Sequence, residues 1–355
     1  MEIPPFDLLE YLVSNIETCR YDIAGSNLPP LSLEELGPLE DMDLSWAYLG
    51  GSPELRKLIA EISHVSEDEV LVTQGASEAN FLVGLTLLER GSKVVVERPF
   101  YEPLYKAFQM LGARISYLPR SSEKGFDLPI DHMTESLPED TRLLVLTNLY
   151  NPGGTLTDGG ILRELASLAE ERDFHILMDE VFREAAFERA PPCALTVSHR
   201  FIVTSSPSKF YGLGGVRIGW CLASTQLLKR IRAAKNFTTV APSTLSDALT
   251  IGALKMRDRV RRRNRRLIND NRKLVDEWVE QEADVAWVPP DGYVSFPSFR
   301  GDVDRLASVA LRNHGTLIAP GRFFGAENHF RLCFGMETSV LRSGLEGLTK
   351  AMKEV

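Results

Sequence analysis

Cysteine and histidine are scarce and scattered in this chain of 355 residues. The four cysteines, Cys19, Cys193, Cys221 and Cys333, show no C-x-x-C spacing, and the six histidines show no H-x-x-x-H or H-E-x-x-H pattern. A disulfide framework and a zinc site are thereby set aside, and no metal is expected. Long apolar runs are missing as well, since nothing approaches the roughly 20 residues needed to span a bilayer. The opening residues, MEIPPFDLLEYLVSNIE, are acidic and interrupted by Pro4 and Pro5, unlike a basic, apolar leader. Nor is there an excess of positive charge: 40 Lys and Arg stand against 49 Asp and Glu, a net charge of −9. That balance speaks against nucleic acid or an anionic membrane as the main partner. Internal repeats and low-complexity linkers are absent too. What remains is 44% hydrophobic and 25% charged, enough to bury a sizeable core. The expectation is a reduced, soluble, cytoplasmic protein that handles small molecules.

From about residue 45 to residue 235, short apolar runs alternate with longer stretches of helical periodicity. The strand candidates are residues 70–73, 93–96, 114–118, 143–147, 175–178, 201–205 and 218–222, and amphipathic stretches such as 77–90, 102–111 and 160–172 lie between them. This alternation predicts an α/β fold, a mostly parallel seven-stranded sheet sandwiched by helices. The last third differs. A polar helical stretch over 245–282 leads to short strand-like pieces at 286–288, 293–296 and 330–334 and two further helices, which predicts a smaller α+β domain. The expected division is an N-terminal segment 1–44 packing with the small domain, a large domain 45–235 and a small domain 236–355. The arginine-rich run from Arg257 to Arg266 contains Asp258 and Asn264 and reads as a solvated helix face.

In an open α/β sheet, ligands sit beyond the carboxyl ends of the strands. There the sequence places Gln74-Gly75-Ala76-Ser77, a small-residue turn entering a helix whose free N–H groups suit a phosphate. The run 143–147 enters Asn148-Leu149-Tyr150-Asn151-Pro152-Gly153-Gly154, a sharp turn with projecting amides. Run 175–178 ends in Asp179-Glu180, and run 201–205 in Ser206-Pro207-Ser208-Lys209. Singly, these are an N-cap, a surface lysine, an ordinary turn and a helix start. Jointly, at one sheet edge, they bring together a carboxylate, a lysine, amides and an anion cradle. The glycines from Gly212 to Gly219 are no dinucleotide fingerprint, because Arg217 stands where a glycine is needed and no helix begins there. They let backbone pass close to a phosphate, with Arg217 supplying a charge-assisted contact.

The string Ser206-x-Ser208-Lys209-x-x-Gly212-x-x-Gly215-x-Arg217-x-Gly219 resembles the lysine signature of the class I/II aminotransferases, fold-type I pyridoxal-phosphate enzymes. Further motifs follow in that family's order: Tyr48-x-x-Gly51 with Leu55-Arg56, Gly75-Ala76-Ser77, Pro99-x-Tyr101, Asn151-Pro152, Asp179-Glu180 and Phe330-Arg331-Leu332. The resemblance implies that Lys209 holds pyridoxal 5'-phosphate as a Schiff base and later moves the proton. Asp179 would pair with the pyridinium nitrogen, Asn151 would donate to the ring's O3′, and Tyr101 would lie on the ring face. Gly75, Ala76, Ser77, Ser206 and Arg217 would hold the phosphate, with Tyr48 reaching in from a partner subunit of a homodimer with shared sites. Arg331 would bind the substrate carboxylate, with Asn151 beside it and Gly25 lining the substrate side. The implied partners are an amino acid and a 2-oxo acid.

The chemistry needs these residue types. A free lysine, with a pKa of about 10.4, is protonated at neutral pH, so it must be covalently committed or desolvated to act as nucleophile and base. A buried carboxylate keeps a proton on the ring nitrogen, and each pKa unit so gained is about 1.4 kcal/mol. One position departs from many relatives: Phe182 stands where a tyrosine would donate to O3′. Losing a donor to a phenolate-like oxygen costs roughly 1.5–3 kcal/mol, so the Schiff base is expected to titrate higher. Transamination is the first expectation. Elimination or cyclisation on the same fold, by a β-lyase, an aminocyclopropane-forming enzyme or a guanidine-cyclising synthase, is the alternative, and a non-catalytic sensor is a third. No second arginine is identified as a dicarboxylate reader, a small or apolar amino donor and aspartate are equally open, and Phe100, Tyr211 and Tyr293 are candidates for the side-chain pocket.

Overall fold

Apolar runs without a polar alternate face make strands that need cover on both sides. The computed structural model describes residues 3–37 and 42–355; residues 38–41, within the expected N-terminal segment, and residues 1–2 lie outside the described residues. The sheet comprises β1 (Val70–Thr73), β2 (Lys93–Arg98), β3 (Arg114–Pro119), β4 (Thr141–Thr147), β5 (His175–Asp179), β6 (Phe201–Ser205) and β7 (Gly219–Leu222). Their spatial order is β1-β7-β6-β5-β4-β2-β3. β7 runs antiparallel to both neighbours, and every other pairing is parallel. Two apolar cores, one on each face, take alternate residues of the same strands: Leu144 and Leu146 on one side, Leu143 and Val145 on the other. The seven-stranded, mostly parallel sheet expected from the sequence is therefore present.

Strand ends differ in ways that matter for the site. β5 extends one residue past the apolar run, so Asp179 is itself a ladder residue, opposite Thr147 of β4 and Thr204 of β6. β7 starts at Gly219 rather than at residue 218, because Arg217 turns the chain with φ +57° immediately before it. Helices α1 (Asp7–Ile16), α2 (Gly75–Leu87), α3 (Pro103–Met110) and α4 (Gly159–Glu171) precede the C-terminal part. Asp158 caps α4, accepting from the N–H groups of Gly160 and Ile161.

The single helical stretch expected over 245–282 is broken at Met256 into α5 (Thr244–Lys255) and α6 (Arg257–Gln281). The two helices serve different partners. Gly252 of α5 lies against the backbone of Leu36, and Asp247 accepts from Ser52 N at 2.7 Å. The buried amides of Asn264 and Asn271 on α6 donate to Phe210 O and to the carbonyls of Phe334 and Met336. The arginine run is also more than a solvated face. Arg257 pairs with Glu184, Arg259 with Glu35 and Arg265 with Glu188, while Arg263 donates to the Pro29 carbonyl. Beyond α6, Phe330–Cys333 pairs antiparallel with Val294–Ser295 and Ala319–Pro320. The strand expected at 286–288 is instead Val285–Ala286, pairing with Ser298–Phe299. Tyr21–Asp22 adds in parallel to Thr316–Leu317. Among the described residues no helix is long and apolar enough to cross a membrane.

Candidate active site

Parallel strands β4, β5 and β6 deliver their last side chains to one edge, and the sequence following each closes around a cavity of about 160 Å³. Tyr101, Thr147, Asn151, Asp179, Phe182, Lys209 and Arg331 line it, with Ser26 and the apolar side chains of Phe6, Leu8, Leu9 and Leu12. Asp179 accepts from Val181 N at 3.1 Å and from the Asn80 amide at 3.3 Å. Burial pushes its carboxyl up to about 6, opposed by those two donors and by the nearby Lys209. Lys209 donates through Nζ to Ser26 Oγ at 2.9 Å and to Asn27 Oδ1 at 3.1 Å. Burial, reinforced by the positive charge of Arg331, pulls its ammonium down to about 8. Burial also pushes the Tyr101 hydroxyl up to about 12. Arg331 donates to the Ala24 carbonyl at 2.9 Å, and burial lowers its pKa.

The anion cradle lies beside this cavity. Gly75, with φ +76°, opens α2 so closely under Arg217 that a Cβ there would sit 2.5 Å from the guanidinium. Gly219 is equally constrained, since its Cβ would meet the Gly75 carbonyl carbon at 2.3 Å. Arg217 donates to the Gly214 carbonyl at 3.0 Å and is otherwise exposed over the helix start, where Ala76 and Ser77 follow Gly75. Ser206 Oγ contacts Ser208 Oγ at 2.6 Å and donates to the Ile218 carbonyl at 2.8 Å. Helix N–H groups, an arginine and two hydroxyls at one point make a site for a phosphate dianion.

The structure does not bring every expected residue to the cavity. Tyr48 is 50% exposed and stands outside the cavity of its own chain. Gly25 turns its N–H to Asp22 at 3.0 Å, and its neighbours Ala24 and Ser26 are the residues that touch Arg331 and Lys209. Phe100 packs against Tyr105 and Tyr117, and the Tyr211 hydroxyl donates to Glu184 at 3.2 Å, so both serve the core rather than the side-chain pocket. Tyr293 stands behind the wall, edge-on to Phe182 at 5.8 Å and donating to the Ser26 carbonyl at 3.0 Å. Sequence reasoning missed Ser26, Asn27, Thr147 and Asn80. Asn80 had a legible signal, a lone amide in the apolar stripe Ala79, Leu82, Val83 of α2. The α1 wall had none, because its contact with the site is made only by tertiary packing.

A family model described as aminotransferase class I and II matches residues 45–348. The chain belongs to this family. Capreomycidine synthase of Streptomyces vinaceus is 28% identical to it, over 99% of this chain and 94% of the relative. The structure of a PLP-dependent aminotransferase from Streptococcus suis 89-1591 superposes with a TM-score of 0.95 at 30% identity, covering 100% of this chain and 99% of the other. That of a PLP-dependent cyclase, OrfR, gives a TM-score of 0.90 at 26% identity, covering 100% and 98%. The architecture is that of fold-type I pyridoxal-phosphate enzymes, and the cofactor is pyridoxal phosphate. The residues present fit it. Arg331 Nε is buried without a partner among the described residues, and a Cβ at Gly75 would collide with the Arg217 guanidinium, so the cradle is kept clear for an anion.

Proposed function

We propose that this class I and II aminotransferase family member is an aminotransferase that moves an amino group between an amino acid and a 2-oxo acid. The observation that carries the reading is that a lysine of lowered pKa, a buried carboxylate and a buried arginine with an unpartnered Nε face one small cavity. Arg331 binds the substrate α-carboxylate, which places the amino group and Cα before Lys209. When bound, pyridoxal phosphate supplies an aldehyde that condenses with amines and a ring that draws electrons from Cα. Lys209 Nζ holds the cofactor until substrate arrives, then takes the proton from Cα and carries it. Asp179 would keep a proton on the ring nitrogen, Asn151 would contact the ring oxygen, and Tyr101 would cover the ring. Gly75, Ala76, Ser77, Ser206 and Arg217 anchor the phosphate. Gly25 lines the substrate side through its neighbours.

The same reading makes the protein a cytoplasmic homodimer in which Tyr48 completes the neighbour's phosphate site. It also keeps the division into an N-terminal segment 1–44, a large domain 45–235 and a small domain 236–355. Full-length similarity to capreomycidine synthase and to the cyclase OrfR favours a second reading, cyclisation or elimination on the same residues.

Incubating holoenzyme with single amino acids, without an acceptor, separates the two. An aminotransferase converts its cofactor stoichiometrically to the amine form and releases one 2-oxo acid. A cyclase or lyase leaves the cofactor as it was and turns over repeatedly. Lys209→Ala ends either activity, and Asp179→Asn almost abolishes proton removal from Cα. Catalytic turnover of a single amino acid with unaltered cofactor would refute transamination.

A further inference from the structure

We infer that the amino donor carries an apolar side chain and that α1 is the surface that reads it, an inference that rests on the aminotransferase reading. Helix α1, Asp7-Leu8-Leu9-Glu10-Tyr11-Leu12-Val13-Ser14-Asn15-Ile16, has more leucine than one packed face requires. Leu8, Tyr11 and Leu12 pack into an aromatic cluster with Phe126, Tyr150, Phe323 and Phe324. Leu9 takes no part in that core, is half exposed, and borders the cavity with Phe6, Leu8 and Leu12. Among the described residues of this chain, the charged groups lining the cavity are Asp179, Lys209 and Arg331, and each has its own task. A carboxylate or guanidinium at the far end of a substrate would face leucines with no partner among the residues this chain lines the cavity with, and burying an unpaired charge is strongly unfavourable. An aliphatic or aromatic side chain gains from the same surface.

The wall is fixed in place. Lys106 Nζ reaches the Pro5 carbonyl at 2.7 Å, Asp7 Oδ2 at 2.8 Å and Glu102 Oε1 at 2.6 Å. Leu8 N donates to the other oxygen of Glu102 at 3.0 Å. Glu102 is buried and directly follows Tyr101, whose ring meets the edge of Phe6 at 5.9 Å. Four contacts thus clasp the start of α1 to the residue next to Tyr101. Lys106 and Glu102 are positioning residues for substrate selection.

The test compares donors with holoenzyme, following conversion of cofactor to its amine form for leucine, methionine and phenylalanine against aspartate, glutamate and arginine. The apolar donors should be preferred in kcat/KM by about 100-fold, the range a pocket that leaves a charge unpaired can impose. Leu9→Arg should move the leucine-to-glutamate ratio toward glutamate by about tenfold or more, and Lys106→Met should raise KM for leucine more than it lowers kcat. Aspartate, glutamate or arginine equalling leucine, or a ratio that Leu9→Arg leaves unmoved, overturns the inference. Should no amino acid yield the amine form, the aminotransferase reading fails instead. The side-chain preference is then read separately, from the Kd of leucine and of aspartate for holoenzyme by the cofactor's absorbance.

Discussion

Lys209 and Asp179 share a cavity whose burial acts on them in opposite directions, lowering the lysine to about 8 and raising the aspartate to about 6. Between those values the carboxylate is charged and the amine is partly neutral. With a lysine displaced from 10.5 to about 8, roughly half is neutral at pH 8, against about one part in three hundred for an ordinary lysine. The rate at which apoprotein takes up pyridoxal phosphate should therefore climb with pH and level off above about 8, as followed by stopped-flow absorbance. A rise continuing to the ordinary lysine range would contradict the burial. Asn80 makes a second case. Thr204 donates to its Oδ1 at 2.8 Å, which fixes the amide so that Nδ2 faces Asp179. Removing a hydrogen bond to a charged group costs about 1.5–3 kcal/mol. Asn80→Ala should thus lower the half-reaction rate about tenfold or more and shift its acidic limb to higher pH, because Asp179 loses a donor that favours its charged form. Phe182, buried on the cavity wall, offers no hydroxyl, so Phe182→Tyr should lower the titration midpoint of the Lys209–cofactor linkage by about one or two units. An unchanged absorbance titration would refute that. Lys209, Asp179 and Asn151 were legible because each sits at a fixed offset from a strand end, whereas Arg331, inside the strand Phe330–Cys333, was legible only through the family resemblance. Ser26 and Asn27 were not, since nothing local to the N-terminal segment says that it will cross Lys209.

At the scale of elements, the turn after β4 depends on a strand two positions away in sequence order. Glu97 of β2 is buried and accepts from Thr147 N at 2.7 Å and Thr147 Oγ1 at 2.5 Å, and Thr147 Oγ1 in turn accepts from Asn151 N at 2.8 Å. Its other oxygen pairs with Arg120 Nη1 at 2.6 Å. The guanidinium lies 3.8 Å from the centroid of the Tyr150 ring and donates to the Phe126 carbonyl. Burial raises the Glu97 pKa, and Arg120 works against that rise. Breaking such a pair from one side leaves a buried charge uncompensated at a cost of about 3–5 kcal/mol. Arg120→Met should lose stability on that scale in urea denaturation, and Glu97→Gln with Arg120→Met should recover part of it. A single variant as stable as the wild type would show the pair to be inessential. Strand existence was readable because both faces of the sheet are covered and the runs are nearly all apolar. The break at Met256 was not readable: no proline or glycine marks it, and it arises because α5 and α6 pack on different surfaces. The arginine face of α6 is solvated as expected, but charge alone did not reveal that it also meets the carboxylates of Glu35, Glu184 and Glu188.

For the whole molecule, several large apolar side chains are left on the surface. Trp46, Tyr48 and Leu49 are half or more exposed, and Phe237, at 91%, is almost wholly so. Thr244 donates to the Trp46 carbonyl at 2.7 Å, which holds the start of α5 beside that stretch. Large exposed apolar side chains mark candidate protein contacts, and in the proposed homodimer a second copy of this chain would cover them. Two-fold symmetry then makes the same patch serve both sides of the contact and carries each Tyr48 away from its own cavity. Sedimentation velocity should show a dimer, and Phe237→Lys should shift it toward monomer by placing a charge in the contact. Tyr48→Phe should keep the dimer but release pyridoxal phosphate about tenfold faster on gel filtration, since one hydrogen bond to a charged phosphate is worth about 1.5–3 kcal/mol. Because each site would draw on two chains, specific activity should fall on dilution below the dimer dissociation constant and return with added pyridoxal phosphate only when dimer re-forms. A monomer that retains full activity and a tightly held cofactor would show that Tyr48 serves no neighbour.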